Sequence, residues 1–154
     1  MIYSEQQLLA LVETGDVVQE SEIETLFNKL RPVSAKLMIG SWIPGPYVET
    51  GHPGVQELKE AGWDGKTFYS EDHVAPVMSK NRDGTRAMNE KFGLAVLRPM
   101  EFRGVLSVAM IYDNLPIIDH FRYVTDDIIF GIMDTKMFPK ENGMLYFSLK
   151  RSTM

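Results

Sequence analysis

The chain lacks cysteine, clusters of basic residues and long apolar runs, and each absence excludes a class of protein. Without cysteine there are no disulfides, no thiol catalysis and no cysteine-ligated metals. The longest basic run is Lys150-Arg151 and the formal net charge is −5, which argues against nucleic acid as a partner. Its apolar runs are well short of the roughly 20 residues that span a bilayer, so we expect no membrane partner.

The start and the length of the chain favour a small cytoplasmic protein. The opening segment Met1–Glu5 has neither the basic nor the apolar region of a signal peptide. A length of 154 residues predicts a single domain, residues 1–154. The amino-acid sequence does not predict an oligomeric state.

Residues 1–31 predict two short helices with apolar stripes, which would cover one side of the domain. A third short helix is predicted near residues 53–61. Pro53 suits the first helical position, and Gly62 suits the end of the helix.

Residues 32–154 predict a small antiparallel barrel. After Phe92, short apolar runs alternate with turn residues, which is typical of sequentially paired strands. The predicted strands are 35–42, 67–69, 74–78, 92–100, 101–112, 117–124, 128–133 and 144–149. About eight such strands would close into a mainly β, lipocalin-like or calycin-like barrel with N-terminal helices.

Two features of these strands bear on the barrel interior. Ala109 and Gly131 are small residues expected to point inward, where they would leave room for a cavity. Asp119 shares a strand face with apolar residues, so we expect it to be buried and paired with a donor. Arg103, Arg122 and His52 are the candidate partners.

Both tryptophans of the chain lie in glycine-containing blocks in the first half of the sequence. These blocks are Met38-Ile39-Gly40-Ser41-Trp42, Thr50-Gly51-His52-Pro53 and Gly62-Trp63-Asp64-Gly65-Lys66. The second half carries Phe102-Arg103-Gly104, Met110-Ile111-Tyr112-Asp113, Pro116-Ile117-Ile118-Asp119, Phe121-Arg122, Gly131, Met133-Asp134 and Phe147-Ser148-Leu149-Lys150-Arg151.

These segments together resemble the GXWXG family, small proteins without an assigned activity, together with the family's associated C-terminal domain of unknown function. The resemblance implies a fold and a site around the tryptophan blocks but no reaction. One departure concerns the motif itself, which expects glycine two residues after the tryptophan. Here that position is Pro44, and glycine follows at Gly45.

The candidate site centres on His52, which titrates near neutrality and lies between the tryptophan blocks. We predict His52 and Asp119 as catalytic residues if the protein is an enzyme. The predicted ligand-binding residues are Trp42, His52, Trp63, Lys66, Tyr112 and Arg122. Four of these also have a structural interpretation: the two tryptophans as core anchors, His52 as a turn-bonding side chain and Lys66 as a solvated lysine.

Three functions remain open at this point. The first is a binding protein that holds a small, largely apolar molecule in the barrel. The second is an isomerase, cyclase or hydrolase acting on such a molecule, with His52 as acid or base. The third is a filled barrel that binds a protein partner. No metal or cofactor is predicted, because the three histidines show no HxH or HExxH spacing.

Overall fold

The computed structural model describes residues 3–153, beginning with two helices packed together. The helices are α1 (Tyr3–Glu13), α2 (Glu20–Asn28), α3 (Ala35–Met38) and α4 (Pro53–Glu60). The helix expected after His52 is therefore confirmed, with Pro53 in its first turn. The strand expected over 35–42 is wrong in its first half. Ser34 caps a short helix there by accepting a hydrogen bond from the Leu37 amide.

Eight antiparallel strands form a closed ring, which confirms the predicted small β-barrel with N-terminal helices. The described residues contain ten strands in chain order, of which eight form the ring: β1 (Gly40–Pro44), β2 (Lys66–Ser70), β3 (His73–Ala75), β4 (Met78–Lys80), β5 (Arg86–Met88), β6 (Ala95–Phe102), β7 (Val105–Tyr112), β8 (Ile117–Thr125), β9 (Ile128–Thr135) and β10 (Leu145–Arg151). The ring runs β1-β10-β9-β8-β7-β6-β3-β2, whereas β4 and β5 form a separate hairpin. In this ring β2 and β8 lie on opposite sides.

Alternation along the strands creates two cores, one inside the barrel and one outside it. The inner core includes Ile117 and Phe121 of β8 together with residues of every other barrel strand. The outer core joins Val124 of β8 to α1 and α2, through side chains such as Leu8 and Phe27. The two helices therefore cover the outer face of the barrel at β8, β9 and β10.

The two small residues expected to open the interior do not do so. Ala109 lies on the outer face of β7, because its neighbours Val108 and Met110 belong to the inner core. Gly131 does point inward, but a Cβ there would lie 2.4 Å from Cζ of Phe147. Gly131 therefore makes room for an aromatic ring rather than for a ligand.

A row of aromatic side chains fills the middle of the barrel. Ring centroids are 6.0 Å apart between Phe68 and Phe121, 5.7 Å between Phe121 and Phe147, and 6.1 Å between Phe147 and Trp63. All three pairs are edge-to-face, the geometry that aromatic pairs favour in cores. Any cavity in the barrel must lie beside this row.

Candidate functional site

A partly enclosed cavity of about 180 Å³ lies where α4 and the connection between β9 and β10 meet the barrel. Gly54 and Leu58 of α4 and Phe138 of the connection form one side. Inward side chains of the barrel strands form much of the rest, together with Trp63 and Phe92 from connecting segments, and most of the wall is apolar. Because the aromatic row includes Trp63 and Phe147, that row also bounds the cavity.

One ion pair, Lys66 with Asp119, lies in this apolar wall. Nζ of Lys66 is 3.2 Å from Oδ2 of Asp119 and donates a hydrogen bond to the carbonyl of Pro76 at 2.8 Å. Lys66 is 4% exposed and Asp119 2% exposed. Since β2 and β8 face each other across the ring, the pair joins opposite walls of the barrel.

Asp119 is only half satisfied in this arrangement. Among residues 3–153, its Oδ1 atom is the buried side-chain polar atom that has no hydrogen-bond partner. Burial raises the pKa of Asp119, and the nearby Lys66 charge opposes that rise. Burial likewise lowers the pKa of Lys66 against the attraction of Asp119. Burial thus disfavours the charged form of both groups, and Oδ1 of the Asp119 carboxylate remains without a hydrogen-bond donor.

Tyr112 contributes a third buried polar side chain to the same wall. Burial, followed by the charge of Asp119, raises the pKa of its hydroxyl well above the ordinary value. The hydroxyl therefore stays protonated at neutral pH and can donate or accept a hydrogen bond. Nζ of Lys66 also lies 5.2 Å from the Phe147 ring centroid and 5.9 Å from that of Trp63, within cation–π range.

The cavity therefore brings together three of the six predicted ligand-binding residues, Trp63, Lys66 and Tyr112, and one predicted catalytic residue, Asp119. Asp119 is buried and paired with a positive group, as predicted. The partner is Lys66 rather than Arg103, Arg122 or His52. Lys66 is accordingly not the solvated side chain that one interpretation allowed.

His52 is buried but does not line the cavity. Its Nδ1 accepts a hydrogen bond from the Gly54 amide at 2.9 Å, which caps the start of α4. Its ring meets Phe138 edge-on at a centroid distance of 4.7 Å. Burial lowers the pKa of His52, so the neutral acceptor form is favoured. His52 thus holds in place α4 and Phe138, which both line the cavity.

Arg122, a predicted ligand-binding residue, lies on the outer face of β8 and does not line the cavity. Its guanidinium donates to the carbonyls of Phe27 and Leu30 at the end of α2, at 3.1 and 3.2 Å. A further bond of 2.9 Å reaches the Phe102 carbonyl. Carbonyls at a helix end retain acceptor capacity, and Arg122 donates to them.

Trp42 is also outside the cavity lining. It is completely buried, and its Nε1 donates to the Met38 carbonyl at 2.7 Å. The Arg151 guanidinium lies 4.4 Å from its ring centroid. These contacts match the core-anchor interpretation of this tryptophan.

The glycine-tryptophan blocks meet through close backbone packing. A Cβ on Gly65 would lie 2.0 Å from the Trp42 carbonyl oxygen, and its φ of +91° favours glycine. Arg86 then binds the two blocks together, donating to the carbonyls of Trp42 at 2.7 Å and Asp64 at 2.9 Å. This junction sets the position of Lys66, which pairs with Trp42 across β1 and β2.

Sequence reasoning missed much of the apolar wall. Phe92, Met133, Leu145 and Phe147 all line the cavity. Leu145 and Phe147 alternate along β10, so the period-2 pattern carried the signal for their shared face. Phe92 carried no such signal, because it lies in a single 3₁₀ turn before β6.

The fold and the cavity define a class: a small closed antiparallel barrel with a helical cover and one apolar internal pocket. Comparison with known proteins then gives the family. The sequence model described as GXWXG protein matches residues 25–84, and that described as domain of unknown function (DUF4334) matches residues 93–151. The chain belongs to the GXWXG family, with the DUF4334 domain forming its second half.

The structure is similar to the crystal structure of a protein from Thermomonospora curvata. The two chains share 40% identity over 98% of this chain and 99% of the other, with a TM-score of 0.89. No curated protein matches this sequence. Within residues 3–153, the helices are all too short or too polar to cross a membrane.

Proposed function

We propose that this protein binds one small, largely apolar molecule inside its barrel. The observation that carries the proposal is the cavity itself. Its wall is mostly apolar, and its buried polar side chains are Lys66, Tyr112 and Asp119, with the exposed Glu57 and the half-buried Thr135 also in the lining. A pocket with an apolar wall and a few convergent polar groups is the usual form of a small-molecule site.

The size of the cavity limits the ligand. A dry apolar cavity of about 150 Å³ accommodates benzene, and the cavity here is about 180 Å³. Drug-sized ligands occupy pockets of roughly 300–1,000 Å³. The ligand that fits without rearrangement is therefore about the size of one substituted ring.

Native mass spectrometry of the purified protein, followed by fluorescence titration, tests this proposal. Trp63 lines the cavity and Trp42 does not, so the two tryptophans form a matched pair. A ligand in the cavity should change the fluorescence of the parent and of Trp42→Phe, but not that of Trp63→Phe. An equal response from both variants would place the ligand elsewhere. No response to any one-ring aromatic or terpenoid probe would remove the proposal.

A second candidate is an enzyme acting on the same kind of molecule, favoured by the buried titratable pair in the wall. Asp119, rather than His52, is then the base, because it lines the cavity and its Oδ1 is unpartnered. A carboxylate in an apolar site can remove a proton from carbon next to a carbonyl. The C–H electrons would form an enolate, stabilised by donors from Lys66 and Tyr112, and the proton would return to carbon.

Hydrogen exchange separates this candidate from simple binding. Cyclohexanone incubated with the protein in D₂O should gain deuterium next to its carbonyl faster than in buffer. The double variant Lys66→Met/Asp119→Leu should lose the excess rate. A parent rate equal to that of the double variant would leave only the binding function.

The cytoplasmic location, and the expected lack of a nucleic-acid partner, a metal and a cofactor, stay predictions.

A further inference from the structure

The polar groups of the cavity carry information about the ligand itself, which rests on the proposed binding function. We propose that the ligand is a small neutral alcohol or phenol whose hydroxyl donates a hydrogen bond to Oδ1 of Asp119. Three properties of the site support this: its charge balance, its unused acceptor and its size.

Charge balance favours a neutral ligand. The two buried charges, Lys66 and Asp119, already neutralise each other, with 3.2 Å between Nζ and Oδ2, and the remaining charged residue of the lining, Glu57, is exposed to solvent. A ligand carboxylate would place two anions beside one cation, and a ligand ammonium would place two cations beside one anion. Either excess charge would be desolvated in an apolar wall without a partner, which is strongly unfavourable.

The unused acceptor favours a hydrogen-bond donor on that neutral ligand. Oδ1 of Asp119 is buried and unpartnered within residues 3–153, while Oδ2 faces Lys66. An ionised carboxylate oxygen can only accept hydrogen bonds, so ethers, ketones and hydrocarbons cannot satisfy it. A hydroxyl can, and its oxygen remains able to accept a bond from a donor of the wall, to which Tyr112 also belongs.

Size restricts the rest of the molecule to a compact apolar body. The wall around the polar groups consists of side chains such as Leu58, Met133, Leu145 and Phe147. A cavity of about 180 Å³ has room for one ring or a short branched chain. A one-ring phenol such as p-cresol combines this body with a single hydroxyl.

Matched probes test the hydroxyl without any mutation. p-Cresol, p-xylene and 4-methylanisole share one ring, but only p-cresol carries a donor. Their dissociation constants can be measured from the NMR shift of the Met133 methyl group, which lies in the cavity wall. A hydrogen bond to a buried charge predicts that p-cresol binds roughly tenfold to a hundredfold tighter than p-xylene. Benzoate and benzylammonium should bind more weakly than p-cresol.

A double variant tests whether Asp119 is the acceptor. Lys66→Met/Asp119→Leu removes both charges together, so neither is left alone in the core. In this variant the dissociation constants of p-cresol and p-xylene should become equal.

Other outcomes separate this inference from the proposed function. Equal binding of p-cresol and p-xylene to the parent would overturn the proposed ligand hydroxyl but leave the proposal that an apolar molecule binds in the cavity. Tighter binding of benzoate or benzylammonium than of p-cresol would overturn the proposal that the ligand is neutral. A preference for p-cresol that persists in the double variant would overturn Asp119 as the acceptor. Failure of all five probes to shift Met133 would overturn the proposed function together with this inference.

Discussion

Two buried cations on opposite faces of the barrel wall show how differently this fold uses charge. Arg122, 1% exposed, lies under the helical cover and donates to backbone carbonyls at the end of α2 and on β6. Lys66, 4% exposed, lies inside the barrel against a carboxylate that keeps one oxygen unpartnered. Burial is nearly the same for both. The difference is whether the polar groups around the cation all have hydrogen-bond partners.

The comparison teaches that a buried charge by itself does not mark a functional site. Arg122 binds the helical cover to the barrel, and its partners are all main-chain oxygens. Lys66 binds one carbonyl and one carboxylate beside a cavity, where an unused acceptor remains. Buried polar groups with a structural role all have hydrogen-bond partners, whereas a binding site keeps an unpaired group that can bond to its ligand.

Removing the carboxylate should give the largest effect. Asp119→Ala leaves the Lys66 ammonium buried without a counter-charge, which should lower the free energy of unfolding by about 3–5 kcal/mol. Urea denaturation at neutral pH measures this. In the control Lys66→Met/Asp119→Leu no charge is stranded, so its stability should stay within about 1 kcal/mol of the parent or exceed it. An Asp119→Ala protein as stable as the parent would show that the pair is not energetically coupled.

Removing the outer cation should destabilise the protein somewhat less and leave binding intact. Arg122→Met leaves the carbonyls of Phe27, Leu30 and Phe102 without this donor, which should cost about 2–3 kcal/mol. Urea denaturation measures the cost, and the p-cresol titration measures binding. Affinity per folded molecule should be unchanged, because Arg122 lies outside the cavity. A large loss of affinity would mean that the two faces are coupled after all.

A third buried ionisable group, His52, should give the smallest effect and a distinct pH dependence. Its folded-state pKa lies below the ordinary value of 6.5 because of burial. Between that lowered pKa and about 6.5 the unfolded chain binds a proton that the folded chain does not, so stability should fall as pH falls.

His52→Asn provides the control for this pH dependence. Asparagine can still accept from the Gly54 amide and cap α4, so stability at pH 7.5 should change by less than about 1 kcal/mol. The loss of stability on acidification through pH 6.5 should become smaller. An unchanged pH profile would show that other groups cause the acid sensitivity.

The strand boundaries show where local patterns stop being informative. The turn residues after Tyr112 and after Val124 were visible in the sequence, and the hairpins lie there. The hairpin between β6 and β7 was placed too early, because its turn uses Arg103 and Gly104. Both have positive φ, 52° and 79°. Arginine rarely adopts that conformation, so Arg103 did not mark the first position of the turn, although Gly104 is a common turn residue.

The alternation of apolar residues and the spacing of turns determined the fold class, because a period of two sets which side chains share a face of a strand. The same alternation placed Asp119 on an inward face. The tertiary structure alone decided its partner. Lys66 lies on β2 and Asp119 on β8, on opposite sides of the ring, and their side chains meet only when the barrel closes. The same alternation places Arg122, three residues further along β8, on the outer face. The tertiary structure decided that the end of α2 supplies its partners and that His52 lies behind the cavity wall, because both depend on elements distant in sequence packing together.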